Sequence, residues 1–468
     1  MYRSASLRPC NPARHWFAGV RSDHPHQHGL SSGCAQALSG THANQSLYQM
    51  NARQDDVTVV GAGIVGIACA INLQRLGFAV TVIDRQTPGE ECSFGNAGMF
   101  APCACVPVNT PGILFKAPAM LFDPLGPLAL RWSYLPRMLP WLFQYLRNSS
   151  PARVERVADG IAAITRDALE EHQRLAGVGE ATRWVQSSPY LYVYESAKGL
   201  AADDYAWRLR HERGITTRVL QGGEVQEFEP AIDPRYRCAV VLERGHGFTP
   251  DPSQLVKALA IQFQHDGGRL LQADVHQVEL ADRKPLALHT SNGRIPLQRL
   301  VIAAGAWSGK IAADLDEAVP LESERGYHVT INSPGVAPRY PIMNSVGKFV
   351  VTPMEPGLRF AGLVEFGGLA ADPDYRLSKR LLTHARTMFP AINTDDFTEW
   401  MGHRPALPDS LPVIGQSTRS EHIFYAFGHQ HIGLTSGPRT GRVLAELIAG
   451  QTPDIDLAPY SIQRFSPG

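Results

Sequence analysis

The chain has 468 residues, 44% hydrophobic and 19% charged, an ordinary globular balance for about two or three domains. Its 44 basic and 44 acidic side chains cancel, which argues against nucleic-acid binding through a strong basic field. Glycine (42) and proline (35) are frequent but not periodic, which excludes fibrous classes. No apolar run reaches the ~18 residues of a membrane span.

Residues 1–49 carry Arg3, Arg8, Arg14 and Arg21, five of the 17 histidines and one acid, Asp23. This composition resembles a transit peptide. An over-extended reading frame with initiation at Met50 is the preferred alternative. Residues 1–53 are therefore set apart, as disordered or wrongly included. Six of the seven cysteines fall in the first 105 residues, without a disulfide or zinc spacing. Reduced thiols in an intracellular protein are expected, and no metal site.

Val57–Val60 reads as a buried parallel strand. Gly61-Ala-Gly63-Ile-Val-Gly66 follows at once, and a helical apolar spacing runs from Ile64 to Leu76. Gly77 ends that helix. Ala79–Ile83 is a second strand with Asp84 at its end, 18 residues after Gly66. Each part has a mechanical reason. Gly61 permits the tight turn, Gly63 lets the backbone approach a pyrophosphate, and Gly66 lets helix pack on strand. The helix N-terminus offers free N–H groups to phosphate, and Asp84 accepts from a ribose hydroxyl. The fingerprint predicts a dinucleotide site but does not separate FAD from NAD.

The glycine-rich stretch Glu91–Gly98 either wraps a cofactor or is a plain loop. Residues 107–148 are rich in Pro, Leu, Phe and Trp. They form a lid, an interfacial patch, or a segment packed on the substrate domain; packing is the favoured reading. Residues 151–177 read as one amphipathic surface helix with a solvated charged face. Asp274–Leu280 alternates like a strand. Leu300–Ser308 is a buried strand entering a small-residue turn. Leu411–Gly415 precedes the strand Ile423–Phe427, and the loop Gly428–Thr435 leads into the helix Thr440–Ala449. Both ends of the chain thus belong to one nucleotide fold, the closure an extended dinucleotide such as FAD requires.

Together VVGAGIVG (59–66), SFGNAGM (93–99), PGILFKAP (111–118), LVIAAGAWS (300–308), GHRPALPDSLPVIG (402–415) and GHQHIGLTSGPRTG (428–441) resemble the D-amino-acid oxidase superfamily of flavoproteins. That superfamily includes glycine and sarcosine oxidases. The bacterial D-amino-acid dehydrogenase branch is the nearest likeness, over residues 56–450. The resemblance implies an α/β plus α+β fold. A discontinuous Rossmann-like FAD domain (54–110, 245–320, 400–468) joins a smaller substrate domain on a mixed or antiparallel sheet (111–244, 321–399). It implies that FAD contacts Gly61, Gly63, Ile64, Val65, Gly66, Asp84, Arg85, Ser93, Asn96, Ala97, Gly98, Val275, Gly305, Trp307, Gly428, His429, Gly433, Leu434 and Thr435. Cys238 is the last cysteine. Relatives that attach FAD covalently do so further along the chain, so non-covalent FAD is expected.

Two departures bear on the substrate. Many relatives have G-H-G where this chain has Gly428-His429-Gln430, and K-G-Y-S where it has Arg325-Gly326-Tyr327-His328. The pair RGYH and GHQH is similar to a branch acting on hydroxylated D-proline. Arg404 is either the carboxylate anchor, since guanidinium matches carboxylate in a fork, or an ion pair holding its loop. Tyr327 and His328 either bind carboxylate or ring hydroxyl, or are polar aromatics of a sheet surface. His429 and His431 flank the flavin loop, one for cofactor or substrate, the other satisfying backbone. The expected activity is FAD-dependent oxidative deamination of a D-amino acid, electrons passing to a quinone or other carrier. The alternatives are an oxygen-using oxidase of the same fold and a flavin-binding subunit of a larger complex. The expected location is the cytoplasm, with peripheral contact to the inner membrane left open.

Overall fold

The computed structural model describes residues 56–466. The readings for 1–53 lie outside the described residues. Two large sheets organise the rest. The first has six strands in the order Arg269–Gln272, Ala79–Asp84, Asp56–Val60, Arg299–Ile302, Ile423–Phe427, Val413–Gln416. All neighbours are parallel except the last pair. Val57, Val59, Val82, Val301 and Ile302 are fully buried because both faces are covered. The helices Ile64–Arg75, Pro252–His265 and Gly433–Ile448 share one core with one face. A three-stranded sheet from Val275 to Pro296 contributes to the core on the other. The first and last of those helices cross closely: a Cβ at Gly441 would lie 2.4 Å from the Ala68 carbonyl carbon.

The second sheet has nine strands. Phe397–Ala406 is its edge, followed by Glu322–Ile331, Gly357–Phe366, Phe349–Met354, Ile342–Asn344, Tyr190–Tyr194, Cys238–Leu242 and Arg218–Gln221, with Leu128–Leu130 beside Gly357–Phe366. The helix Tyr375–Met388 covers one face through Leu381, Ala385 and Met388. Burying Leu381 or Met388 contributes about 1.5–3 kcal/mol each, and the Ala385 methyl less.

The division into domains is corrected at two points. Residues 400–406 belong to the nine-stranded sheet, because Phe397–Ala406 pairs along its whole length with Glu322–Ile331. Residues 151–184 pack on the nucleotide side, where Val157, Ile161, Ile164, Leu175 and Trp184 join the core of the six-stranded sheet. The segment 151–177 is two helices, Pro151–Thr165 and Ala168–Ala176, broken at Asp167, whose φ is +57°. Its charges are not all solvated: Glu171 is buried and paired with Arg442 at 3.0 Å.

The segment 107–148 packs in part. Met138, Trp141 and Tyr145 bury against Ala406, and Trp141 Nε1 donates to the Ala406 carbonyl. Phe115, Phe122, Trp132 and Phe143 stay exposed. Among the described residues, no helix is long and apolar enough to cross a membrane. The described cysteines, Cys69, Cys92, Cys103, Cys105 and Cys238, are all free thiols.

Candidate active site

A cavity of about 360 Å³ opens at the carboxyl ends of the central parallel strands. Of the residues singled out in the sequence, Gly61, Gly63, Ile64, Val65, Asp84, Arg85, Ser93, Asn96, Val275, Gly305, Trp307, Gly428, His429, Gly433 and Leu434 line it. Glu91 and Cys92, from the stretch read as cofactor wrap or plain loop, and Gln430, from the flavin loop, line it as well, as do His276, Lys310, His403 and Pro405, which sequence reasoning did not place there. Cys92 and His403 meet through a thiol-to-carbonyl hydrogen bond of 2.7 Å across 311 residues, a contact no local signal announces.

The turn that opens the cavity follows from its glycines. Gly61 has φ +114°, and a Cβ there would lie 2.3 Å from the Ala303 carbonyl oxygen. At Gly66 a Cβ would lie 1.9 Å from the Gly61 oxygen, so Gly66 sits beneath the turn, outside the lining. At Gly63 a Cβ would meet nothing nearer than Ser93 Oγ at 3.4 Å, so its space stays open to the cavity. Ser93 Oγ accepts from Ile64 N at 3.0 Å. Asp84 accepts from the amides of Ala62 (2.7 Å) and Gln86 (2.9 Å). Burial nonetheless holds its carboxyl above the ordinary range. The Arg85 guanidinium lies 3.8 Å over the Trp307 ring and bonds Glu91.

The helices Ile64–Arg75 and Gly433–Ile448 both begin at the cavity, so two positive helix ends meet one space. An open glycine cradle, two helix N-termini and a carboxylate at the end of the second strand fit an extended dinucleotide with a central pyrophosphate. FAD has that form.

The loop 428–433 is held by its own polar atoms. Gln430 has φ +47°, a left-handed position that favours glycine. Its amide donates to the Pro405 carbonyl at 3.0 Å and its side chain to the Leu407 carbonyl at 3.1 Å. His429 Nε2 meets Thr440 Oγ1 at 3.1 Å, and burial pushes its pKa down to about 3. His431 keeps an accessible surface beside Gln430, yet desolvation and then Arg404 pull its pKa to about 4. Both imidazoles are neutral at pH 7.

Ala97, Gly98 and Thr435 lie outside the lining and brace it. The Ala97 carbonyl accepts from Thr352 Oγ1, the Gly98 carbonyl from Thr249 N, and Thr435 Oγ1 donates to the Met99 carbonyl.

Alternation along Glu322–Ile331 puts Glu322, Glu324, Gly326 and His328 on one face and Arg325 and Tyr327 on the other. The first face meets the loop 93–98. His328 Nδ1 lies 3.1 Å from the Gly95 carbonyl, and its ring stacks on Trp400 at 5.2 Å. Burial, with Arg359 and Arg404 nearby, holds His328 well below its usual pKa. It holds the loop rather than lining the cavity. Arg404 shares this face, crosses Gly326, and donates to the carbonyls of Leu363 (3.0 Å) and Gly362 (3.3 Å). Burial lowers its pKa, while Glu324 and Cys92 act to raise it.

Tyr327 is a correction. Its ring enters the core under Tyr375–Met388, beside Val329 and Ile331, and its hydroxyl donates to Glu365 Oε2 at 2.5 Å. The adjacent Glu365 pairs with Arg131 and Arg325 and opens on a separate cavity. The strand's alternation decides this, since Tyr327 and the two acids that precede Arg325 cannot share a face. Glu324, opposite Arg404 on the first face, is a further residue that sequence reasoning did not single out. Its signal was an acid on the same strand parity as Gly326.

The comparisons accord with this geometry. The sequence pattern of "FAD dependent oxidoreductase" matches residues 56–447. A D-amino-acid oxidase of Bradyrhizobium diazoefficiens is 41% identical over 416 residues, covering 87% of this chain and 98% of its own. A D-amino acid dehydrogenase of the same organism is 30% identical over 421 residues, covering 88% and 99%. The crystal structure of L-proline dehydrogenase from P. horikoshii shares the fold, with a TM-score of 0.65 at 19% identity, covering 89% and 98%. The chain belongs to the DAO family of FAD-dependent oxidoreductases.

Proposed function

We propose that the protein oxidatively deaminates a D-amino acid, with a cyclic substrate such as 4-hydroxy-D-proline among the candidates. The observation that carries this reading is Arg404, a half-buried arginine on the sheet face that meets the loop 93–98, whose hydrogen bonds among the described residues go to backbone carbonyls. A guanidinium so placed suits a carboxylate, which would replace two neutral acceptors with charge-assisted bonds. FAD, bound without a covalent link, supplies a two-electron acceptor. The residues proposed to hold it are those that line the cavity, with Gly66, Ala97, Gly98 and Thr435 supporting the lining.

The protein's own part is orientation and electrostatics. Arg404 fixes the substrate carboxylate. The amide donors that start the helix Gly433–Ile448 favour negative charge at that end of the cavity. His429 and His431, held neutral, add no competing positive charge. The substrate then loses a hydride from Cα as its nitrogen lone pair forms the C=N bond.

Electrons go on to a quinone or another carrier in the leading reading. The 41% relative named as an oxidase favours direct reaction with oxygen as a second. Anaerobic mixing with D-proline, 4-hydroxy-D-proline, D-alanine and their L-isomers tests the substrate class through loss of the oxidised-flavin band. Bleaching by a D-isomer is the expected outcome, and bleaching by none of them removes the reading. Mixing the reduced protein with oxygen and, separately, with a quinone then tells oxidase from dehydrogenase.

A further inference from the structure

Glu324 stands directly opposite Arg404 in the antiparallel pair of strands Glu322–Ile331 and Phe397–Ala406. Opposed residues of such a pair project to one face. Glu324 is 4% exposed, and among the described residues no donor hydrogen-bonds its carboxyl. Its neighbour Glu322 differs: the Ser323 amide and the Tyr134 hydroxyl donate to it. The ionisable groups facing Glu324 are Arg404 from the adjacent strand, Glu322 from its own, and Tyr145 from the helix Leu135–Arg147. Arg404 in turn acts on His431 and on Cys92, which lines the cavity. A cation and an acid without donors thus stand opposite one another on one sheet face, outside the lining, with Arg404 near Cys92 of that lining.

A buried carboxyl without donors is costly to keep. An arginine paired only with carbonyls is equally unfinished. The two deficits carry the opposite signs of one zwitterion and sit at opposed positions of one sheet face.

We propose that Glu324 receives the substrate's amine, pairing with the ammonium while Arg404 takes the carboxylate, and accepts the proton the nitrogen must lose before oxidation. This rests on the D-amino-acid reading above. In the step, one N–H bond breaks and one O–H bond forms on Glu324. The nitrogen becomes a neutral amine with its lone pair free, the glutamate becomes a neutral acid, and no electron reaches the protein. Burial raises the Glu324 pKa to about 7, against the lowering effect of Arg404, which suits a base working near neutrality.

The test uses the FAD-loaded protein and its Glu324→Gln and Glu324→Asp variants. Flavin reduction by the best D-amino acid is followed anaerobically across pH, and binding of D-alanine and of propionate is followed by the flavin band shift. The wild type is expected to gain rate as pH rises through about 7. Glu324→Gln is expected to reduce about 10²-fold more slowly, the low end for loss of a general base, and to lose that rise. Glu324→Asp should keep the rise at a lower rate. Propionate, which has no amine, should bind all three within about threefold, since only the Arg404 half of the clamp meets it. A Gln variant with the wild-type rate and pH profile overturns the proposal. If no D-amino acid reduces the wild type, the function reading fails by itself. Titration then decides Glu324: D-alanine binding no tighter than propionate, or equally in the Gln variant, overturns the clamp.

Discussion

Arg404 lies across Gly326 so closely that a Cβ on residue 326 would stand 2.4 Å from the guanidinium carbon. The glycine is the floor on which the arginine rests. Gly326→Ala should therefore displace the guanidinium without touching the nucleotide turn. The expected result is substrate affinity weakened about tenfold or more, about the scale of 1–3 kcal/mol for overpacking, with FAD content unchanged. Arg404→Ala should weaken it further. Substrate titration beside the flavin-to-protein ratio measures both, and unaltered kinetics in Arg404→Ala would remove that residue from the site.

Gly66→Val tests the turn. A branched side chain would collide with the Gly61 carbonyl, which a Cβ alone would approach to 1.9 Å. The purified variant should be colourless. A yellow variant with normal flavin content would contradict the nucleotide assignment.

Gln430 holds a left-handed backbone with two hydrogen bonds. Gln430→Ala keeps the strain and loses the side-chain bond to Leu407. It should cost about 1–3 kcal/mol, the range for a buried acceptor left alone. Gln430→Gly loses the same bond but relieves about 1–2 kcal/mol of left-handed strain. Thermal unfolding should rank Ala below Gly; the reverse order would mean that the backbone is not strained.

Tyr327→Phe separates structure from chemistry. Its hydroxyl donates to Glu365 and accepts from the Asp374 amide. Losing it should destabilise by about 1–3 kcal/mol while substrate affinity stays as it was. A large rise in KM with unchanged stability would return Tyr327 to the substrate site.

Glu324 also predicts a pH dependence of stability. Its folded pKa of about 7 lies above its usual 4.5, so the folded state binds the extra proton. That contribution is fully present below about pH 4.5 and is lost as pH rises through 7. Glu324→Gln should gain stability relative to wild type on going from pH 5 to pH 8, read by denaturant unfolding of the apoprotein. A difference that does not move with pH would contradict the shift.

The nucleotide half was legible because its physics is local. Gly61 to Asp84 encode strand, turn, helix and acid within two dozen residues, and hydrophobic period and glycine spacing both report on them. The substrate face was not. Which side of the sheet Tyr327 and Glu324 take depends on the register with Phe397–Ala406, set some 75 residues away. Cys92 reached the site through His403, and 151–184 joined the nucleotide core through helix packing. Gln430 was visible as a departure from glycine. Its two compensating bonds were not, because both acceptors lie on the segment 405–407.

The crossing of Ile64–Arg75 with Gly433–Ile448 has a consequence during synthesis. A ribosome releases the first glycine turn early, but the helix that packs on it, and the strand that extends its sheet, come from the last tenth of the chain. Until they emerge, the surface around Ala68 has no cover and the cavity lacks the wall made by Gly428–Leu434. Cofactor capture should therefore require the segment from Ile423 onward. A nascent or C-terminally truncated chain should be colourless and sticky, whatever the fidelity of its nucleotide fingerprint.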